Sequence, residues 1–89
     1  MNIEEIQKFL DREKFSPENC VKIDFKKRDS IYGLFIKTND FQDLKSKNFW
    51  RIVTKSNFEQ WNKTKNVNLA KIFSGQEFSR LKIQEITLS

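Results

Sequence analysis

The sequence predicts a mainly β domain with an N-terminal α-helix, its five short strands closing into a small barrel. Three observations carry that prediction. Val21, Ile23 and Phe25 alternate with Lys22, Asp24 and Lys26, the period-2 pattern of a half-buried strand. Ile31 to Ile36 is apolar on both faces and has Gly33 in its middle. A glycine inside a strand marks a strong bend or a close backbone approach. Near the end, two β-rich runs flank Ser74-Gly75, the pattern of a hairpin turn.

The elements follow in order. Asn2 to about Phe15 reads as a helix, with Asn2 and Glu5 spaced as a capping box. Ile3, Ile6 and Leu10, with Phe9 beside them, form one apolar stripe suited to packing on the barrel. Ser16-Pro17-Glu18-Asn19 stops the helix, because proline disfavours helical geometry in the residue before it. Strand one spans about Cys20 to Lys27 and strand two about Ser30 to Thr38. Asn39 to Asn48 is polar and charged around Phe41 and Leu44, and reads as a loop or a late-starting third strand. Phe49 to Lys55 is rich in β-formers and reads as the third strand. Ser56 to Glu59 repeats the capping-box pattern, with Phe58 and Trp61 at i,i+3, so a short helical turn or a continued strand follows. Asn62 to Asn68 is a polar connector. Leu69 to Phe73 and Glu77 to Ile83 complete the five strands, and Ile86 and Leu88 extend the last after a register shift. Residues 1–89 therefore read as one domain: a helix within 1–16 and a barrel over 20–88 with an insert near 45–68. Five-stranded orderings open to this pattern include the OB-fold, the SH3-like barrel and the Sm-like barrel.

A domain of this size buries about 60–65% of its unfolded surface. The core must therefore come largely from nine phenylalanines and two tryptophans. The one cysteine, Cys20, excludes an internal disulfide and fits a reducing compartment. The N-terminus lacks the apolar run of a signal peptide, and no segment approaches a membrane span. The expectation is a cytoplasmic protein with no membrane partner. Net charge is +5 and uneven. Residues 1–20 hold three basic side chains against five acidic, −2; the rest hold fourteen against seven, +7. A basic body is compatible with a polyanionic partner, and equally with a solvated lysine-rich surface.

Val21 to Leu44 resembles, without a gap, the first motif of the Sm and Sm-like RNA-binding proteins. The residues that carry the likeness are Val21, Ile23 and Phe25, then Ile31, Gly33 and Phe35, then Asn39, Phe41, Asp43 and Leu44. IFSGQEFSRL resembles the second motif through Ile72, Phe73, Ser74, Gly75, Phe78 and Leu81. The resemblance implies an Sm-like barrel preceded by a helix. It also implies binding of single-stranded RNA, and rings formed when strand four of one subunit pairs with strand five of the next. Two departures bear on function. Asp43 stands where the family has an RNA-contacting asparagine, and a carboxylate repels phosphate. Ser74 stands where the family has an arginine.

Catalysis and metal binding have no support in the residues. With no histidine and one cysteine, neither a Ser-His-Asp triad nor a usual zinc set can form. Gly33 and Gly75 stand alone, so no phosphate-cradling glycine loop occurs. Cys20, at the start of a strand, reads as a buried structural thiol. No cofactor is implied. Single-stranded nucleic acid is held by stacking aromatics in a positive groove. The candidate RNA-binding residues are accordingly Asn39, Phe41, Lys45, Lys47 and Arg51, with Lys26, Lys27 and Arg28 of the basic turn either meeting phosphate or forming a solvated turn. The alternative is a protein-interaction or assembly module with no nucleic-acid role. It could be a homo-oligomeric ring, or a monomer whose insert covers the strand edge.

Overall fold

The structure is a computed structural model that describes residues 1–12 and 20–84. It opens with α1 (Ile3–Arg12). The capping box is formed as expected: the Glu5 amide donates to Asn2 Oδ1 at 2.8 Å and the Asn2 amide to Glu5 Oε1 at 3.1 Å. Ile6, Phe9 and Leu10 of its stripe are buried. The helix stop expected at Ser16 to Asn19, and the strand extension at Ile86 and Leu88, lie outside the described residues.

Five strands follow: β1 (Cys20–Phe25), β2 (Ile31–Phe35), β3 (Phe49–Thr54), β4 (Lys71–Ser74) and β5 (Phe78–Gln84). They form one antiparallel sheet in the order β4-β3-β2-β1-β5. Val21 lies opposite Gly33, Phe35 opposite Ile52 and Trp50 opposite Phe73. Lys22 lies opposite both Tyr32 and Lys82.

The sheet buries both of its faces, which accounts for the unbroken apolar run of β2. On the inner face α1 packs against Val21, Ile23, Phe35, Trp50, Ile52, Phe78 and Leu81. On the outer face Cys20, Leu34, Ile36 and Val53 form a smaller cluster, covered by Phe58 and Trp61 of α3 (Phe58–Thr64). Gly33 is a place of close backbone approach, as its position suggested. A Cβ there would run into Ile52 Cγ2 and sit 3.3 Å from the Val53 carbonyl oxygen.

The expected closed barrel is corrected by the hydrogen bonding. The ladder is open, with β4 and β5 at its two edges. The tight turn expected at Ser74-Gly75 is also not a hairpin. A single 3-10 turn, Gly75–Glu77, joins β4 to β5 across the two edges. Four strand spacings of a flat sheet would separate those edges by about 19 Å, whereas three residues of 3-10 helix advance about 6 Å. The sheet therefore curls strongly to bring the end of β4 to the start of β5. Phe25 fills that corner between Phe73 and Phe78, with ring centroids 6.0 and 5.4 Å away.

A second correction concerns 39–48. The expected loop holds a helix, α2 (Phe41–Ser46), because Phe41, Leu44 and Lys45 share one face at i,i+3,i+4. Beyond its C-cap Lys47 the chain turns at Asn48, whose φ of 61° is the left-handed conformation that asparagine tolerates well. The repeated capping box also differs from expectation. A 3-10 turn (Lys55–Asn57) precedes α3, and Asn57 caps it without a side-chain bond. No helix among the described residues is long and apolar enough to cross a membrane.

Candidate nucleic-acid interface

The Gly75–Glu77 turn gathers three otherwise separate segments. The Gly75 amide donates to the Asn48 carbonyl at 2.8 Å, and the Lys26 amide to the Glu77 carbonyl at 2.9 Å. The ammonium of Met1 donates to the carbonyls of Gly75 and Phe78 at 2.9 and 2.7 Å. Asn48, 6% exposed, completes the knot: its Nδ2 donates to the Met1 carbonyl at 3.0 Å, and its Oδ1 accepts from Trp50 Nε1 at 2.8 Å. Gly75 is glycine because this knot leaves no room for a side chain. A Cβ would overlap Asn48 Oδ1 and lie 2.5 Å from Ile6 Cδ1 and 2.8 Å from Trp50 Nε1.

Around the knot opens a groove of about 880 Å³. Lys26 and Lys27, after β1, line it together with Lys47, after α2. Glu5 and Glu77 are its two carboxylates, and Glu5 already accepts the Asn2 amide. Three of the eight residues singled out in the sequence thus converge from two distant segments.

The other five are placed differently. Arg28 is exposed, its guanidinium carbon 4.9 Å from the centre of the Phe25 ring. Asn39 is exposed in the turn before α2, and Lys45 is half-buried on the helix. Phe41 is half-buried and edge-on to Trp50, with centroids 6.0 Å apart, so it serves the core; Lys37 Nζ stands 5.4 Å from its ring centre. Arg51 forms a forked pair with Asp40, Nη2 to Oδ2 at 2.6 Å and Nε to Oδ1 at 3.3 Å. The bonds from Arg51 and from the Thr38 hydroxyl hold the Asp40 carboxyl down to about 2. Arg51 is raised above its ordinary value by its own bonds to the Asp40 carboxylate.

Asn48 went unnoticed in the sequence, and Asp40 stood out there only as one half of a possible carboxylate pair with Asp43. Neither belongs to a motif that carries chemistry, and both act through partners that only the fold supplies. Cys20 is buried, and loss of hydration pushes its thiol up. The chain matches no protein-family model, no curated protein and no solved structure.

Proposed function

We infer that the chain is a small Sm-like domain that binds single-stranded RNA, with the groove beside Gly75–Glu77 as its phosphate-binding site. The observation that carries this reading is the convergence of Lys26, Lys27 and Lys47 on one groove. Asn2, Ser46 and Gln76 add hydrogen-bonding groups to its lining. The Sm-like likeness is supported by both motif glycines standing at close backbone approaches, Gly33 on the sheet and Gly75 in the knot. Phe41 and Arg51 have less support as RNA contacts, because Phe41 packs on Trp50 and Arg51 is neutralised by Asp40.

The test is fluorescence anisotropy with labelled U-rich and A-rich single strands across salt concentrations. Binding should weaken as salt rises, with a slope of about −0.7 per phosphate contacted on a single strand. Replacing Lys26, Lys27 and Lys47 with Gln should weaken binding to both sequences and flatten that slope. No binding at low salt would overturn the reading.

A second reading, self-assembly through the sheet edges, is favoured by one specific observation. Ile72 is 49% and Phe49 39% exposed, on neighbouring strands beside the open β4 edge. An unpaired strand edge is a template for another strand. Light scattering across a concentration series would reveal it, and Ile72→Lys should abolish any oligomer formed that way.

A further inference from the structure

The outer face of the sheet carries a second basic surface, which only the register reveals. Directly opposed residues of an antiparallel pair share a face, so Lys22, Tyr32 and Lys82 stand in one row across β2, β1 and β5. Lys55 closes the row, its Nζ 5.6 Å from the centre of the Tyr32 ring. One step along β1, Asp24 lies opposite Arg80. Asp24 is the only carboxylate among these residues, and it is shared. It accepts the Ser30 hydroxyl at 2.5 Å and lies 3.9 Å from Lys22 Nζ. Among the described residues neither Arg80 nor Lys82 has a carboxylate partner, and both are exposed. Like charges directly opposed on adjacent strands repel in the free protein. A phosphate between Lys22 and Lys82 turns that repulsion into attraction.

Tyr32 adds what a purely electrostatic patch lacks. It is half-buried against the outer-face cluster of Cys20, Leu34, Ile36 and Val53, and its ring is covered by a solvated lysine. An exposed cation–π contact is weaker than a stacked nucleobase. A base can therefore displace the Lys55 ammonium, which then meets a neighbouring phosphate. The groove begins just beyond the row: Lys26, which lines it, is the first residue after β1 and lies four residues on from Lys22.

Building on the RNA-binding reading above, we propose that the outer face between β5 and α3 is the track along which the single strand leaves the groove, with Lys22 and Lys82 on phosphate and Tyr32 under a base. The experiment compares wild type, an outer-face variant (Lys22→Gln with Lys82→Gln), Tyr32→Leu and the groove triple variant. Each is titrated with a labelled single-stranded RNA of about 15 nucleotides, near the upper site size for a small barrel domain. Single-stranded DNA of the same sequence and anionic phospholipid vesicles serve as parallel arms, and thermal melts confirm that each variant is folded. The outer-face variant should lose about tenfold in affinity at low salt and flatten the salt slope. Tyr32→Leu should weaken binding without changing that slope. If the outer-face variant binds as wild type does while the groove variant fails, the track is refuted and the groove reading stands. If the outer-face variant fails and the groove variant does not, the track stands alone. Binding to vesicles but to neither nucleic acid overturns both.

Discussion

Gly75→Ala is the sharpest perturbation available. The cost comes from space alone, since no glycine in the fold has a positive φ. The new methyl would fall on the hydrogen bond between Trp50 Nε1 and Asn48 Oδ1, and against Ile6 Cδ1. Trp50 is 1% exposed and Ile6 0%, so neither can retreat into solvent. Overpacking a tight site costs about 1–3 kcal/mol. Breaking the buried pair leaves a donor and an acceptor unsatisfied, another 1–3 kcal/mol or so. Together these remove about 2–6 kcal/mol from a domain whose total stability is about 4–13 kcal/mol at this length. In urea, with a slope of about 1 kcal/mol/M for a small domain, the midpoint should fall by at least about 2 M. Trp50→Phe provides the control. It removes the N–H together with part of the indole ring, leaving Asn48 Oδ1 unpaired and a cavity at a site that is 1% exposed, should cost about 2–4 kcal/mol, and should make the subsequent Gly75→Ala change cheaper. A Gly75→Ala midpoint within about 0.5 kcal/mol of wild type would refute the steric argument.

Other expectations follow from the same structure. Gly33→Ala should cost about 1–3 kcal/mol in the same titration, less than Gly75→Ala, because it meets Ile52 and breaks no polar pair. The Asp40 carboxyl, held at about 2 against an ordinary 3.8, contributes stability above pH 4 or so that is lost as pH falls towards 2. Asp40→Asn should erase that part of the acid-unfolding profile followed by circular dichroism. The Cys20 thiol, buried and raised, should react with a chromogenic disulfide reagent only as fast as the protein opens, whereas fast labelling under native conditions would contradict its burial. Phe41→Ala should lower stability by about 1–3 kcal/mol in urea, as expected for a half-buried ring edge-on to Trp50.

What the sequence disclosed depended on how local the signal was. The capping box at Asn2 and Glu5, the stripe of α1 and the alternation of β1 are patterns within a few residues, and all are present. The segment around Phe41 misled because helix propensity there is modest and its polar residues dominate. The i,i+3,i+4 spacing of Phe41, Leu44 and Lys45 was the better guide. Gly33 and Gly75 were legible as glycines but not as to what they approach. Lys26, Lys27 and Lys47 were legible as cations, whereas their convergence depends on a turn that joins opposite edges of a sheet. The row of Lys22, Tyr32 and Lys82 was illegible for a related reason. Membership in a row is a matter of register, and β1 and β5 lie at opposite ends of the chain.

That last pairing has a consequence for how the molecule assembles. β1 with β2, β2 with β3 and β3 with β4 each join neighbours in sequence, through connections no longer than residues 55–70, so closing them costs less than closing the span from β1 to β5. β5 alone must find a strand formed at the other end of the domain, Cys20 against Gln84. Rates of folding fall as contacts become more distant in sequence, and this one ladder supplies most of that distance. The docking of β5 should therefore be the late, slow event. Phe78 and Leu81 should then show small φ-values, their loss speeding unfolding more than it slows folding.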